Sequence, residues 1–166
     1  MKPKINKTNA ARLLDQAKIN YQLVAYEIDE NNLAATHVAQ QLGENIEQVF
    51  KTIVLRGDKT GIFVCLIPGD KEINLKRAAQ TSGNKNAATL HLKELLPTTG
   101  YIRGGCSPIG MKKTFPTFLH SSCLLQPYLY ISAGIRGLQI KIDPAALIKA
   151  TGAKVTELLT EPTENN

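Results

Sequence analysis

Two apolar, β-branched runs near the middle of the chain place the strongest restriction on its fold. They occupy residues 52–55 and 62–67, and the polar, glycine-containing stretch 56–61 separates them. Apolar runs of strand-forming residues around a short loop of this kind are typical of an antiparallel β-hairpin. We therefore expect a sheet that includes this hairpin, with the other elements packed around it.

The remaining pattern mixes helices with further strands. Capping residues, closing glycines and helical spacing predict helices at 9–17, 36–42, 75–80, 90–96 and 144–150, with a helical turn at 46–50. Pro97 is expected to end the fourth of these helices. Runs of strand formers predict strands at 21–28, 117–120, 128–132, 138–142 and 154–159. The predicted fold class is mixed α/β, a mixed sheet or distorted barrel with helices outside.

A glycine-rich loop spans residues 100–113, with the sequence GYIRGGCSPIGMKK. Clustered glycines let a backbone approach a ligand closely, and successive N–H groups in such a turn attract anions. Arg103, Lys112 and Lys113 flank the glycines, and both residue types bind phosphate. The loop indicates an anion site, with an ordinary surface turn as the alternative.

The net charge of +6 is unevenly distributed. Between Lys71 and Lys141 there are ten Lys or Arg and only two acids, Glu72 and Glu94. A basic span that includes the glycine loop predicts a polyanionic partner, with nucleic acid as the first candidate. The chain has few aromatic residues, so no base-stacking platform is evident, and a basic protein without nucleic acid is the alternative.

Length and composition bound the remaining possibilities. The 166 residues fit one domain at 1–160, followed by a polar tail at 161–166. No apolar run approaches the roughly 20 residues that cross a bilayer, and no signal peptide is recognisable, so a cytoplasmic location without a membrane partner is expected. Three scattered cysteines and three scattered histidines predict neither a disulfide framework nor a metal site, and no cofactor is expected.

Lys51 stands out because it lies between Phe50 and the apolar run at 52–55. A lysine at the start of a strand is most often a solvated edge residue, and the sequence shows no titration partner for it. The chain contains neither a GxSxG elbow nor a Walker motif, so neither a triad hydrolase nor a P-loop enzyme is indicated.

Three separated segments resemble, in the same order, the signature segments of the YbaK/EbsC family of aminoacyl-tRNA deacylases. They are residues 50–54 (FKTIV), 100–113 and 130–138 (YISAGIRGL). Within that family the chain is similar to the stand-alone bacterial Cys-tRNA(Pro) and Cys-tRNA(Cys) deacylases, from the first helix to about Glu157. The resemblance implies a mixed sheet forming a barrel-like core with surrounding helices, and clearance of proline tRNA wrongly charged with cysteine.

The resemblance also implies the site residues. Lys51 matches the family's essential lysine, and residues 104–108 match its GxxxP loop, which makes Lys51, Gly104 and Gly105 the catalytic candidates. The implied substrate-binding residues are Tyr26, Thr52, Cys106, Ser107, Pro108, Ser132, Gly134 and Gln139. The expected tRNA-binding residues are Arg103, Lys112, Lys113 and Arg136. Gln139 stands where a well-known member has an aspartate, and residues 31–37, which match poorly, are expected to form part of the pocket rim.

For cysteine, the resemblance implies that the substrate's own thiol attacks its carbonyl and expels the tRNA 3′ end, so that no protein nucleophile is needed. The amides of residues 104–107 would hold the carbonyl oxygen, and Lys51 would hold the terminal adenosine phosphate or the amine region. Cys106 is then a neutral loop residue. A complex with prolyl-tRNA synthetase is also implied.

Two alternatives remain open at this point. One is a deacylase of the same fold that removes alanine or another small amino acid by water attack. The other is a non-catalytic module that binds tRNA or a synthetase.

Overall fold

The computed structural model of the protein describes residues 6–159, so the tail predicted at 161–166 lies outside the described residues. Its helices are α1 (Asn9–Gln16), α2 (Ala35–Leu42), α3 (Leu75–Ser82), α4 (Leu92–Thr99) and α5 (Pro144–Thr151). Its strands are β1 (Gln22–Ala25), β2 (Phe50–Gly57), β3 (Gly61–Pro68), β4 (Ala87–Thr89), β5 (Thr117–His120), β6 (Leu129–Ser132), β7 (Leu138–Ile142) and β8 (Lys154–Thr156). Short 3₁₀ helices cover Ile46–Gln48 and Ser121–Leu125.

Within residues 6–159 the strands form two sheets. The first is antiparallel, in the order β1-β7-β6. The second has the order β4-β2-β3-β5-β8, with antiparallel pairing on one side of β3 and parallel pairing on the other. A parallel bridge between Val49 and Tyr130 connects the two sheets. The mixed α/β class is confirmed, whereas the described strands do not close a barrel, and the barrel-like core stays a prediction.

The expected hairpin is present and longer than its apolar runs. Phe50 of β2 pairs with Pro68 of β3, and the pairing continues to Gly57 and Gly61 beside the turn. Asn84, just beyond α3, fixes this turn, because its Oδ1 accepts the backbone N–H groups of residues 59 and 60 at 2.9 and 2.8 Å. The hairpin is therefore held at its closed end, and its other end begins the candidate site.

Local signals placed most helix ends correctly. Thr8, Asn74 and Asp143 cap α1, α3 and α5 with side-chain oxygens that accept backbone N–H groups. Gly43, Gly83 and Gly152 end α2, α3 and α5 in the left-handed conformation that glycine adopts without strain.

The prediction that Pro97 ends the fourth helix was wrong. Helix α4 includes Pro97 and continues to Thr99, with Gly100 as its left-handed cap. Proline removes one N–H donor near the end of this short helix. The Thr99 hydroxyl donates to the carbonyl of Leu95 and the Gly100 N–H to that of Leu96, both at 2.8 Å, and these bonds keep the last turn closed.

The buried faces follow the predicted alternation in β7. Leu138, Ile140 and Ile142 pack in the largest core cluster with Leu14 of α1 and Leu147 of α5. This cluster fixes α1 and α5 on one side of the β1-β7-β6 sheet. Among residues 6–159 no helix has the length and hydropathy needed to cross a membrane.

Candidate active site

A cleft of about 470 Å³ lies where the start of β2 meets β6 and β7. The bridge between Val49 and Tyr130 joins the sheets at this point. The cleft is lined by Asn31, Asn32, Leu33, Ala34, Ala35, Val38, Val49, Phe50, Lys51, Thr52, Gly69, Arg103, Gly104, Cys106, Ser132 and Gln139. It therefore combines residues from all three segments recognised in the sequence with the expected rim before α2.

Lys51 is the second residue of β2 and is paired with Ile67 of β3. Its side chain lines the cleft, and its ammonium group has no hydrogen-bond or ion-pair partner within residues 6–159. Burial lowers the pKa of Lys51, while the negative charges of Glu72 and then Asp70 partly offset that effect by raising it. The cleft thus contains a half-buried cation that is available to a ligand.

The glycine loop begins with a tight turn at residues 102–105. The Gly105 N–H donates to the carbonyl of Ile102 at 3.0 Å, and Gly104 has a φ of +85°. This is the pattern of a type II turn, in which glycine supplies the positive φ at the third position. A Cβ on Gly104 would lie 3.3 Å from Leu33 Cδ2 and 3.2 Å from Arg136 Nε, so the turn is also closely packed.

The turn decides which loop amides are available to a ligand. Of the two catalytic glycine candidates, Gly105 already uses its N–H inside the loop. The backbone N–H groups of Gly104 and Cys106 have no acceptor among the described residues, and both residues line the cleft. These two amides are therefore the candidates for binding a carbonyl oxygen or an oxyanion.

Cys106 is a partly buried residue of the cleft lining, and its thiol is a weaker acid than a free cysteine. Burial raises the pKa of its thiol to about 12, against a smaller lowering by a hydrogen bond with Thr99. The thiolate is the nucleophilic form of cysteine, so burial disfavours the reactive form of this side chain at neutral pH.

Ser107 and Pro108 shape the loop outside the cleft. Ser107 is fully buried, and its hydroxyl accepts the N–H of Ile109 at 3.2 Å. The Tyr101 hydroxyl donates to the carbonyl of Ile109. Pro108 lines a separate groove between α1 and α5, together with Lys113.

Two buried oxygen atoms in residues that line the cleft lack a hydrogen-bond partner among residues 6–159, Thr52 Oγ1 and Gln139 Oε1. Gln139 is 5% exposed and lies on the central strand β7, paired with Ser132 of β6 and Val24 of β1. Buried polar atoms are nearly always paired, so unpaired ones beside a cleft indicate positions where a ligand completes the hydrogen bonding.

The remaining sequence-predicted residues lie outside the cleft lining. Tyr26 packs against a cluster that includes Val38 and Val49, which line the cleft, but it is not itself part of the lining. Gly134 lies against the ring of Tyr101, where a Cβ would approach Cε1 to 2.9 Å. Its N–H donates to the Ser132 hydroxyl at 3.1 Å.

The four predicted tRNA-binding cations are spread over the surface around the loop. Arg103 is exposed and lines the cleft. Lys112 donates to the carbonyl of Pro97 at 3.2 Å, and Lys113 borders the groove that Pro108 lines. Arg136 donates through Nε to the carbonyl of Arg103 at 2.9 Å. The structure thus places one of the four in the cleft and the others around it.

Sequence reasoning did not identify Gly69, which follows the end of β3. A Cβ at this position would lie 2.2 Å from Ala35 Cβ and 3.1 Å from the carbonyl oxygen of Val49. Its hydrogen side chain therefore lets the start of α2 approach the cleft. The Pro-Gly pair at 68–69 after an apolar run was the available signal, since such pairs mark tight turns.

No group of three or more His, Cys, Asp or Glu in residues 6–159 is arranged to hold a metal ion. The cleft lining also contains no histidine and no carboxylate among those residues. Its polar groups are the ammonium of Lys51, the guanidinium of Arg103, backbone amides, hydroxyls, carboxamides and one thiol.

Comparison with known proteins gives consistent matches. Residues 29–150 match the family model of the aminoacyl-tRNA editing domain. EbsC of Enterococcus faecalis, to which Cys-tRNA(Pro)/Cys-tRNA(Cys) deacylase activity is provisionally assigned, is 46% identical over 155 residues, covering 93% of this chain and 94% of EbsC. A proline–tRNA ligase of Fervidobacterium nodosum is 29% identical over 82 residues, which are 49% of this chain but 14% of the ligase.

Solved structures show the same fold. A crystal structure described as that of a provisional trans-editing enzyme for prolyl tRNA synthetase superposes with a TM-score of 0.81 at 24% identity. The match covers 93% of this chain and 99% of that one. The family model matches most of this chain, and a relative is 46% identical over 93% of it, so the chain belongs to the aminoacyl-tRNA editing domain family.

Proposed function

We propose that this protein is an aminoacyl-tRNA deacylase that removes cysteine from mischarged Cys-tRNA(Pro), and also acts on Cys-tRNA(Cys). The observation that carries the proposal is the cleft, whose lining unites Lys51, the residues with free amides in the glycine turn, and Gln139. The similarity to EbsC supports cysteine as the esterified amino acid.

In the proposed complex the aminoacyl ester lies in the cleft with its carbonyl oxygen facing the Gly104 and Cys106 amides. Backbone N–H groups preorganised around an oxyanion stabilise the charge that develops when the carbonyl is attacked. Lys51 contacts the terminal adenosine phosphate or the polar atoms around the α-carbon. Thr52 Oγ1 and Gln139 Oε1 are unpaired buried acceptors, and a small side-chain rotation would let them accept from a substrate donor such as the amine.

The nucleophile in this proposal is the substrate thiol. Its sulfur forms a bond to the ester carbonyl carbon, the carbon–oxygen bond to the tRNA breaks, and the thiol proton is transferred to the departing 3′ oxygen. The product is a four-membered thiolactone, which water opens to free cysteine. The absence of histidine and carboxylate side chains from the described cleft lining, and the raised pKa of the Cys106 thiol, support a reaction without a protein nucleophile.

The nucleic acid and its synthetase are the proposed partners. Arg103 at the cleft and the basic span around it would bind the acceptor stem through phosphates, with little sequence readout. The likeness of about half of this chain to part of a proline–tRNA ligase supports cooperation with prolyl-tRNA synthetase, which would supply tRNA specificity. Such a protein would work in the cytoplasm, where tRNA is charged.

The decisive experiment compares ester cleavage of Cys-tRNA(Pro), Ser-tRNA(Pro) and Ala-tRNA(Pro). Serine differs from cysteine by one atom, so it tests the sulfur with little change in size. We expect rapid loss of cysteine, little loss of serine or alanine, and no activity in Lys51→Ala. Equal loss of alanine would instead show water attack. Salt-dependent tRNA binding without any cleavage would show a binding module.

A further inference from the structure

The side chain of Arg136 contacts the glycine turn from outside the cleft. Its Nε donates to the carbonyl oxygen of Arg103 at 2.9 Å. A Cβ on Gly104 would lie 3.2 Å from this Nε and 3.4 Å from Arg136 Cγ, so the stem of the arginine covers the turn. The backbone at Ile135 and Arg136 packs equally closely on Gly105, where a Cβ would lie 3.1 to 3.2 Å away.

The hydrogen bond to Arg103 selects one orientation of a peptide plane. Turns of type I and type II differ mainly by a half rotation of their central peptide, which here joins Arg103 to Gly104. Because this peptide is planar and trans, its C=O and N–H point in opposite directions. A donor that holds the carbonyl on the Arg136 side therefore directs the Gly104 N–H away from Arg136, and of these two residues only Gly104 lines the cleft.

We infer that Arg136 is a positioning residue, which keeps the Arg103–Gly104 peptide in its type II orientation and thereby directs the Gly104 N–H at the substrate carbonyl. The inference rests on the proposed function for the identity of that carbonyl as an aminoacyl ester. The terminal guanidinium nitrogens of Arg136 have no partner within residues 6–159, so contact with a tRNA phosphate is the competing role.

Two substitutions distinguish the positioning role from the phosphate-binding role. One keeps a hydrogen-bond donor at the position of Nε without the charge, and the other keeps the charge without that donor. Glutamine places an N–H₂ donor on Cδ, where arginine has Nε, and removes the charge. Lysine keeps the charge but has a methylene group at that position. Lys149→Gln, which removes an exposed cation from α5, is the matched control for a change of net charge.

We expect Arg136→Gln to keep kcat for Cys-tRNA(Pro) within about threefold of the wild type. Arg136→Lys should lower kcat tenfold or more with little change in KM, since loss of one oxyanion donor costs about 10²- to 10³-fold. A lower kcat for Arg136→Gln than for Arg136→Lys would overturn the inference. A phosphate contact would be indicated if Arg136→Gln also reduced the slope of log K for tRNA binding against log salt concentration by about one.

A second measurement decides the question without turnover. In ¹⁵N-labelled protein, the amide signals of Gly104 and Gly105 should stay near their wild-type positions in Arg136→Gln and Lys149→Gln. In Arg136→Lys they should shift, and exchange of the Gly105 amide hydrogen should accelerate about tenfold. If the wild type fails to cleave Cys-tRNA, the proposed function is wrong, while these signals still test the role of Arg136. Unchanged glycine signals in Arg136→Lys would reject that role.

Discussion

Ser132 on β6 lies directly opposite Gln139 on β7, and both residues line the cleft that contains Lys51. The Ser132 hydroxyl accepts the N–H of Gly134, whereas Gln139 Oε1 has no partner among the described residues. The Ser132 hydroxyl therefore stabilises the local backbone, whereas Gln139 has an acceptor oxygen that is not used within the described residues.

We predict that Gln139→Leu raises the free energy of unfolding by about 1 kcal/mol while it lowers deacylation at least tenfold. Removing an unpaired buried polar atom eliminates its desolvation cost, and a leucine fills a similar volume. Urea unfolding and Cys-tRNA(Pro) cleavage would measure the two effects. The control is Gln48→Leu, because Gln48 is also buried but donates to the carbonyl of Tyr128 at 3.5 Å. A destabilised but fully active Gln139→Leu would show that Gln139 serves the fold alone.

Gly104→Ala should abolish most deacylation, whereas Gly43→Ala should not affect it. Both glycines have positive φ, at +85° and +68°, so alanine adds backbone strain of roughly 1 to 2 kcal/mol at either position. Only at Gly104 does the new Cβ also meet neighbours, Leu33 and Arg136, while nothing lies within 4 Å at Gly43. Urea unfolding of both variants measures the loss of stability caused by backbone strain. The deacylation rate, measured where both variants are folded, then shows the effect of disturbing the Gly104 turn on activity. Equal activity of the two would contradict the role given to the Gly104 turn.

Cys106 should resist alkylation by iodoacetamide at pH 8, because burial raises its thiol pKa to about 12 and leaves about one thiolate in 10⁴. Cys106→Ala should retain turnover within about threefold, since the backbone N–H proposed to bind the carbonyl is still present. Mass spectrometry after timed exposure measures the first effect. Rapid labelling, or a dead alanine variant, would indicate that the thiol takes part in the reaction.

The buried His120 should make stability depend on pH. Burial lowers the pKa of His120, with Glu157 partly offsetting this by raising it, and its Nδ1 accepts the N–H of Leu158 at 3.2 Å. The unfolded chain therefore binds a proton more readily than the folded one as pH falls through about 6.5, so stability is greatest above that value and declines below it. The wild type should lose its stability advantage over His120→Asn between pH 7 and pH 5, as measured by urea unfolding. If the difference in unfolding free energy between the wild type and His120→Asn stayed constant from pH 7 to pH 5, His120 would not titrate in this range.

Much of the fold follows from short-range chemistry in the sequence. Thr8, Asn74 and Asp143 mark helix starts because their side chains satisfy free N–H groups of the first turn. Strand β4, at Ala87–Thr89, was missed because its three residues carry no strand pattern. It is a strand because Leu55 of β2 pairs with Thr89, a tertiary contact that the local sequence does not specify.

In the candidate site, too, some features follow from the local sequence and others depend on tertiary contacts. Motif matching could select Lys51 and the glycine loop, but not which loop amides are free. That depends on the bond from the Gly105 N–H to Ile102 and on the packing of Arg136, both of which arise only when the segments meet. Tyr26 follows the end of β1 and packs against Val38 and Val49 without lining the cleft, an outcome of tertiary packing that motif matching could not show.

Gly69 and Ala35 lie so close together that the small size of both residues sets the width of the cleft, although neither has a role in the proposed chemistry. A methyl group added at position 69 would collide with Ala35 Cβ at 2.2 Å, so the start of α2 or the turn at Gly69 would have to shift. The start of α2 and the segment before it contribute residues 31–35 and Val38 to the cleft lining. The volume available to the amino acid can thus be altered by substitutions at this pair in the cleft lining while Lys51 and the Gly104 turn stay unchanged, which offers the fold a simple route to new aminoacyl specificities.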